Sequence, residues 1–223
     1  MKNSIILFLL FISSGLYAQE TFNKFYDNYL SAKKTGTYFS ENTRGTPYDN
    51  PEFMEARVYF KGEFEPLIGK MRYNSYEDEM EFIRNMDDQV LVLTNRNKID
   101  SIRLDNKTYQ YLKFFEDQTV NSGYFVRLTP GECSLFKKSP KRFQEEKPPQ
   151  SGYEDYVPPS FIQEDDEFYV SFDEAPLIQV PDRKKKIQEL FMEHGYENKK
   201  MSKVKYKEEE LVEYFGGLEK KGK

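Results

Sequence analysis

The sequence predicts a mainly β protein, a β-rich α+β chain. Its antiparallel meander is expected to curl into a half-barrel or sandwich, with an N-terminal helix and two C-terminal helices packed at its ends. Three observations carry this expectation. Met54, Ala56, Val58 and Phe60 alternate with Glu55, Arg57, Tyr59 and Lys61, the period-two pattern of a strand buried on one face. Short strand-like runs continue at even spacing to Lys138, separated by Asn, Asp, Gly or Pro and by no helical pattern. Helical three-four spacing occurs only towards the two ends of the chain.

Residues 1–18 read as a secretory signal peptide. Lys2 precedes an apolar run from Ile5 to Ile12. Ser13, Ser14 and Gly15 loosen the run, and Ala18 places a small residue before Gln19. The run falls short of the about 20 residues of a membrane-spanning helix, which argues against a retained anchor. No Cys follows it, so lipid attachment has no support. The mature chain, 19–223, is expected to be one exported β-rich domain with no integral membrane segment. Residues 19–36 are expected to start it with a helix: Phe22, Phe25, Tyr26, Tyr29 and Leu30 form one apolar stripe, with Thr21 as N-cap and Gly36 past the end.

The meander is expected over residues 54–143. After Met54–Lys61 the candidate strands are Leu67–Tyr73, Tyr76–Arg84, Val90–Leu93, Ile99–Leu104, Tyr109–Phe115, Tyr124–Leu128 and Cys133–Lys137. Turn residues lie at Asn85–Asp88, Asn95–Asn97, Asp105–Asn106, Ser122–Gly123 and Pro130–Gly131. In Tyr76–Phe82, alternation puts Glu77, Glu79 and Glu81 on one face, expected to be solvated and met by Arg57, Lys61, Lys70 or Arg72. Tyr76, Asp78, Met80 and Phe82 take the other face, and Arg72 and Asp78 are close enough in sequence to pair. A Pro-rich loop is expected at 144–160 and a returning strand, Phe168–Phe172, within 161–180. The helical tail, 181–223, has two stripes: Ile187, Leu190, Phe191 and His194, closed by Gly195, then Leu211, Phe215 and Leu218 behind Glu208–Glu210. The lysine-rich stretch between them, 199–207, reads as a solvated linker because acids follow at once.

Composition bounds the function. A net charge of −5 with dispersed basic residues argues against nucleic acid as a partner. One cysteine, Cys133, excludes an intramolecular disulfide, so stability rests on the core. The chain has 17 Tyr and 19 Phe, and each fully buried Phe contributes about 1.5–3 kcal/mol. His194 is the sole histidine and stands at a predicted helix end, where the dipole accounts for it. One His and one Cys cannot build an N/S zinc site, the acidic clusters lack the calcium-loop spacing, and no Gly-rich phosphate loop occurs. No catalytic residue, metal or cofactor is therefore assigned.

Two stretches, "GTPYDNPEF" (Gly45–Phe53) and "MRYNSYEDEMEF" (Met71–Phe82), resemble those of an uncharacterised exported Bacteroidota protein family. In that family a G-x-P-Y-x-N-x-x-F stretch precedes an LRYN-x-Y-x-DEMEF stretch; here Met71 stands in place of the usual Leu. "GYFVRL" (Gly123–Leu128) and the helical tail are also similar. The resemblance implies a Gram-negative envelope setting and transfers no catalytic residue.

The expected function is that of an exported, non-enzymatic envelope protein that binds a protein partner or envelope component. Periplasm is the foremost location, with secretion or the cell surface as alternatives. The candidate contact residues are Tyr48 and Phe53 in the first loop and Tyr153 and Tyr156 in the Pro-rich loop. Two other readings remain open: a carrier of an apolar, lipid-like ligand in a curled sheet lined by Phe and Tyr, and a carboxylate-based hydrolase.

Overall fold

The computed structural model describes residues 30–32, 39–84, 89–149, 155–172, 176–198 and 204–220. The signal peptide, most of the expected N-terminal helix, the Asn85–Asp88 turn and Tyr153 lie outside them.

The chain is mainly β. In order come β1 (Leu30–Ala32), β2 (Met54–Phe60), β3 (Leu67–Asn74), β4 (Glu79–Ile83), β5 (Leu91–Leu93), β6 (Ile99–Leu104), β7 (Lys107–Glu116), β8 (Thr119–Arg127) and β9 (Cys133–Lys138). They are followed by β10 (Lys141–Gln144), β11 (Ser160–Gln163), β12 (Glu167–Phe172), β13 (Ile178–Gln179), helix α1 (Lys184–Glu193), β14 (Tyr196–Asn198), helix α2 (Glu208–Gly216) and β15 (Leu218–Lys220). Eleven strands form one open antiparallel sheet in the order β1-β5-β4-β3-β2-β6-β7-β8-β9-β12-β13.

The order is two meanders joined side by side, since β5 does not pair with β6. The link from Leu93 to Ile99 passes β4, β3 and β2 to reach the far side of β2. Four strand spacings add to about 19 Å, the full reach of six extended residues. Arg96–Lys98 are wound into a 3₁₀ turn, so the link is shorter than that and the sheet must curl beneath it. The concave face of this first curl holds Ala56, Val58, Met71, Met80, Phe82, Leu93 and Ile102, joined by Tyr73, Tyr109 and Tyr124.

The second half curls towards the opposite face. Side chains alternate along β7 and β8, so Phe114 and Phe125 point away from Tyr109 and Tyr124. They meet Phe136, Tyr169 and Leu177 in a second core. Leu177, next to β13, forms a parallel bridge back to Phe114. Its N–H donates to the Lys113 carbonyl (2.8 Å) and its carbonyl accepts from Phe115 N–H (3.0 Å). The sheet as a whole stays open.

Helices α1 and α2 cover the outer face of β9 and β12. Ile187, Phe191, Leu211, Tyr214 and Phe215 bury themselves against Leu135, Phe168, Val170 and Phe172. His194 follows α1, stacks on Phe172 (3.9 Å between centroids, 9° between planes) and approaches the Leu190 carbonyl through Nδ1 (2.8 Å). Gly195 takes a positive φ of 79° and ends the helix. No helix among the described residues is long and apolar enough to cross a membrane.

Four expectations need correction. Leu30, placed in a helical stripe, belongs to β1 and pairs with Leu93 of β5, where it packs on the first core. Tyr76–Phe82 is not all strand: residues 75–78 turn, because the Asn74 side chain accepts the Tyr76 and Glu77 N–H groups (3.1 and 3.0 Å) and Asp78 takes φ 53°. Ser122–Gly123 is no turn but the middle of β8. Glu81 is not on a solvated stripe; it is fully buried, paired across the strands with Arg72, while Asp78 pairs elsewhere.

Candidate functional site

The two stretches that carry the resemblance interlock. Loop residues Pro47–Asp49 lie along the end of β3: Tyr48 bridges Asn74, Asp49 N–H donates to the Tyr73 carbonyl (3.0 Å), and Ser75 N–H donates to the Pro47 carbonyl (2.9 Å). Arg72 is the centre of the contact. Its Nε donates to Glu81 Oε2 (2.9 Å), Nη1 to the Pro51 carbonyl (3.0 Å) and Nη2 to the Tyr48 hydroxyl (2.6 Å). Its guanidinium carbon lies 3.6 Å from the Tyr48 ring centroid and 4.2 Å from that of Phe53. Such stacking is worth about 2 kcal/mol or more when water is excluded. The loop aromatics Tyr48 and Phe53 are thus brought together around an arginine of this chain.

Beside this lock lie two further carboxylates, each held by a lysine and a tyrosine. Asp49 Oδ2 accepts from Lys107 (2.5 Å) and from the Tyr109 hydroxyl (2.8 Å). Burial pushes the Asp49 carboxyl up, but these two bonds and the Lys107 and Lys141 charges outweigh it and hold it below its ordinary range. Asp78 accepts from the Tyr73 hydroxyl (2.6 Å), Lys138 Nζ (3.0 Å) and the Tyr124 N–H (3.2 Å). That carboxylate rests on β8 above Gly123, where a Cβ would stand 2.5 Å from Asp78 Oδ2 and 2.8 Å from Lys138 Nζ. Glycine is required there by close approach. Burial, followed by the Asp78 charge, raises the Tyr73 phenol well above its usual value. Tyr109 is raised by burial and then by Asp49. Tyr124 is raised chiefly by burial, which Arg96 opposes and Asp78 reinforces. This chemistry holds charges in place: Asp49 is kept ionised and the phenols are kept protonated. Among the described residues no three His, Cys, Asp or Glu side chains gather into a metal-ligand set.

The Pro-rich segment is the outer part of a hairpin. Strands β10 and β11 pair from Lys141↔Gln163 to Gln144↔Ser160, and Lys147 and Val157 bridge beyond them (2.9 and 3.1 Å). The base of this arm is stitched to the first loop. Arg44 N–H donates to the Pro159 carbonyl and Phe161 N–H to the Arg44 carbonyl, both at 2.9 Å. Lys141 Nζ reaches the Thr46 and Tyr48 carbonyls (3.0 and 2.5 Å). Phe39, Tyr76, Phe143 and Phe161 pack edge-on or tilted at the base. Past Gln144 the described arm residues 145–149 and 155–157 are all exposed. Tyr156 is 46% exposed, and its hydroxyl donates to Glu146 Oε2 (2.7 Å).

Tyr156 therefore stands apart from the Tyr48–Phe53 pair. Sequence reasoning missed Lys107, Lys141 and Asp49, which sit in loops or at strand starts with no period to mark them. Arg72 is one of four cations expected near the β4 acids from the sequence; the four-residue turn at 75–78 is what sets it opposite Glu81.

No family model, curated protein or solved structure matches this chain.

Proposed function

We propose that this is an exported, non-enzymatic envelope protein that docks a protein partner through the β10–β11 arm. The observation that carries the reading is the arm itself: a paired hairpin, anchored at its base by Lys141 and Arg44, whose residues 145–149 and 155–157 are all exposed. A preformed hairpin loses little conformational entropy on binding. Tyr156, Val157, Pro148 and Pro149 present rigid apolar surface of the kind interfaces favour. Membership of the exported Bacteroidota family is part of the same proposal, supported by the physical interlocking of its two stretches.

The carrier reading gains no support from the two curled interiors. The rings that would face a ligand pack on each other, Tyr73 on Tyr109 at 5.1 Å and Phe125 on Tyr169 at 4.9 Å between centroids. The hydrolase reading meets carboxylates already engaged by lysine or arginine.

A photo-crosslinking residue at position 156, in the native envelope, tests the proposal. One discrete crosslinked protein is expected, absent with the crosslinker at Lys185; with the crosslinker at Lys147, exposed on the same arm, the adduct should be lost when 148–156 is replaced by Asn-Gly. No adduct, or equal adducts at positions 156 and 185, would sink the reading. Export is tested separately: the mature N-terminus should be Gln19.

A further inference from the structure

We propose that the cleft beside β7 receives an extended acidic peptide, added as a short strand to an open stretch of the β7 edge. The cleft measures about 1000 Å³ and includes Gln110, Tyr111, Leu112 and Lys113, with Lys61 and Arg127 around it. It lies where the ladder is interrupted. On this side β7 pairs with β6 only as far as Tyr109, opposite Ile102. Pairing resumes at the Lys113 carbonyl, which accepts from Leu177 N–H. Backbone groups of alternate residues point to the same side of a strand. Tyr109, Lys113 and Phe115 aim theirs to this side, so the Tyr111 N–H and C=O, between them, also face the gap. The paired register agrees: Tyr111 stands opposite Tyr124, whose own N–H points away from β7 to Asp78.

A sheet edge with one residue pair open fits the main chain of an extended peptide, the basis of strand addition. The charge around the gap selects the side chains. The chain carries a net charge of −5, yet none of Lys61, Lys113 and Arg127 is ion-paired among the described residues. Glu132 also lines the cleft, and Lys220 lies 3.4 Å from its carboxylate. Leu112, Phe136 and Leu177 offer an apolar floor to alternate residues. Carboxylates on one side and small apolar groups on the other are therefore the matching pattern, which is why a peptide is favoured over an acidic sugar.

The probe is a capped peptide alternating Asp with Val, titrated into the full mature chain with amide exchange followed by NMR. Binding is expected to slow exchange at the Tyr111 amide by about tenfold or more and to weaken as salt rises. The pair Lys61→Glu and Lys113→Glu, both exposed positions, should weaken binding about tenfold with an unchanged melting curve. A Lys-Val peptide and an N-methylated Asp-Val peptide should leave Tyr111 exchange unchanged. Equal effects of the Lys-Val or N-methylated peptide, no protection at Tyr111, or binding of polygalacturonate without binding of the peptide would each overturn the proposal. The site is distinct from the arm, so the Asn-Gly arm variant should bind the peptide unchanged, and the two readings fail separately.

Discussion

Arg72 and Glu81 face each other on β3 and β4, and the whole first loop is folded onto that pair. Glu81 is fully buried with its carboxylate 2.8 Å from the arginine, whose guanidinium is covered on its faces by Tyr48 and Phe53. The Asn74 amide adds a further bond to Glu81 (3.3 Å). A buried carboxylate is tolerable only with such partners, so the acidic stretch serves to place a loop.

Removing one partner is therefore expected to cost more than removing both. Arg72→Met leaves Glu81 buried without its Arg72 ion pair and should destabilise by about 3–5 kcal/mol. Adding Glu81→Leu to it should recover part of that loss, because the apolar pair carries no desolvation penalty. Urea denaturation of the two variants checks this; a double variant less stable than Arg72→Met would contradict it.

Gly123→Ala should destabilise by about 1–3 kcal/mol, because the new methyl occupies the place of Asp78 Oδ2 and Lys138 Nζ. The losses from Gly123→Ala and Asp78→Ala should be less than additive, since both break the same contact. Thermal melts of the two single variants and the double variant measure the coupling.

Asp49 makes stability depend on acid. Its carboxyl is held below the ordinary value of 3.8 in the folded chain, so the unfolded chain binds the proton first. The stabilisation is complete above about pH 4 and is lost as pH falls through the lowered folded value. Asp49→Asn should thus be less stable than the native protein at pH 7, with the gap closing as pH falls below about 4 and through the lowered folded value. Urea midpoints across that range decide it; a constant gap would rule Asp49 out as the source.

Lys137 ties α2 to the sheet, bonding Glu208 at 2.6 Å and Asp166 at 3.6 Å. Burial works to lower this amine, but the two carboxylates outweigh it and raise it. Its contribution is therefore intact below the ordinary value of 10.5 and is lost only as pH rises through the folded value. Lys137→Met should cost about 1 kcal/mol and speed hydrogen exchange in α2 more than in β2. Uniform acceleration across the chain would show that the lysine does not act locally.

Much of the fold is legible because its signals are local. Ile99–Leu104 forms the strand its own pattern predicts, and Ile187 and Phe191 mark the buried face of α1. Gly123 misleads as punctuation because a glycine needed for a neighbour's approach looks, along one chain, like a glycine needed for a turn. Tyr76 and Asp78 mislead because the turn that removes them from the strand is set by the Asn74 side chain, a bond that alternation does not register. The arm shows the same limit: Pro148 and Pro149 announce an unpaired segment, while the pairing of Lys147 with Val157 across it depends on the strands behind.

By itself the sequence determined strands β2 to β9 and β12, most of the turns between them and the two helices of the tail, since side-chain period and turn chemistry act over neighbouring residues. Only the tertiary structure decided the opposite curls of the sheet, the burial of Glu81 and the gap in the β7 ladder. Those depend on which distant strand meets which edge, and the free energy of such meetings resides in contacts between residues tens of positions apart.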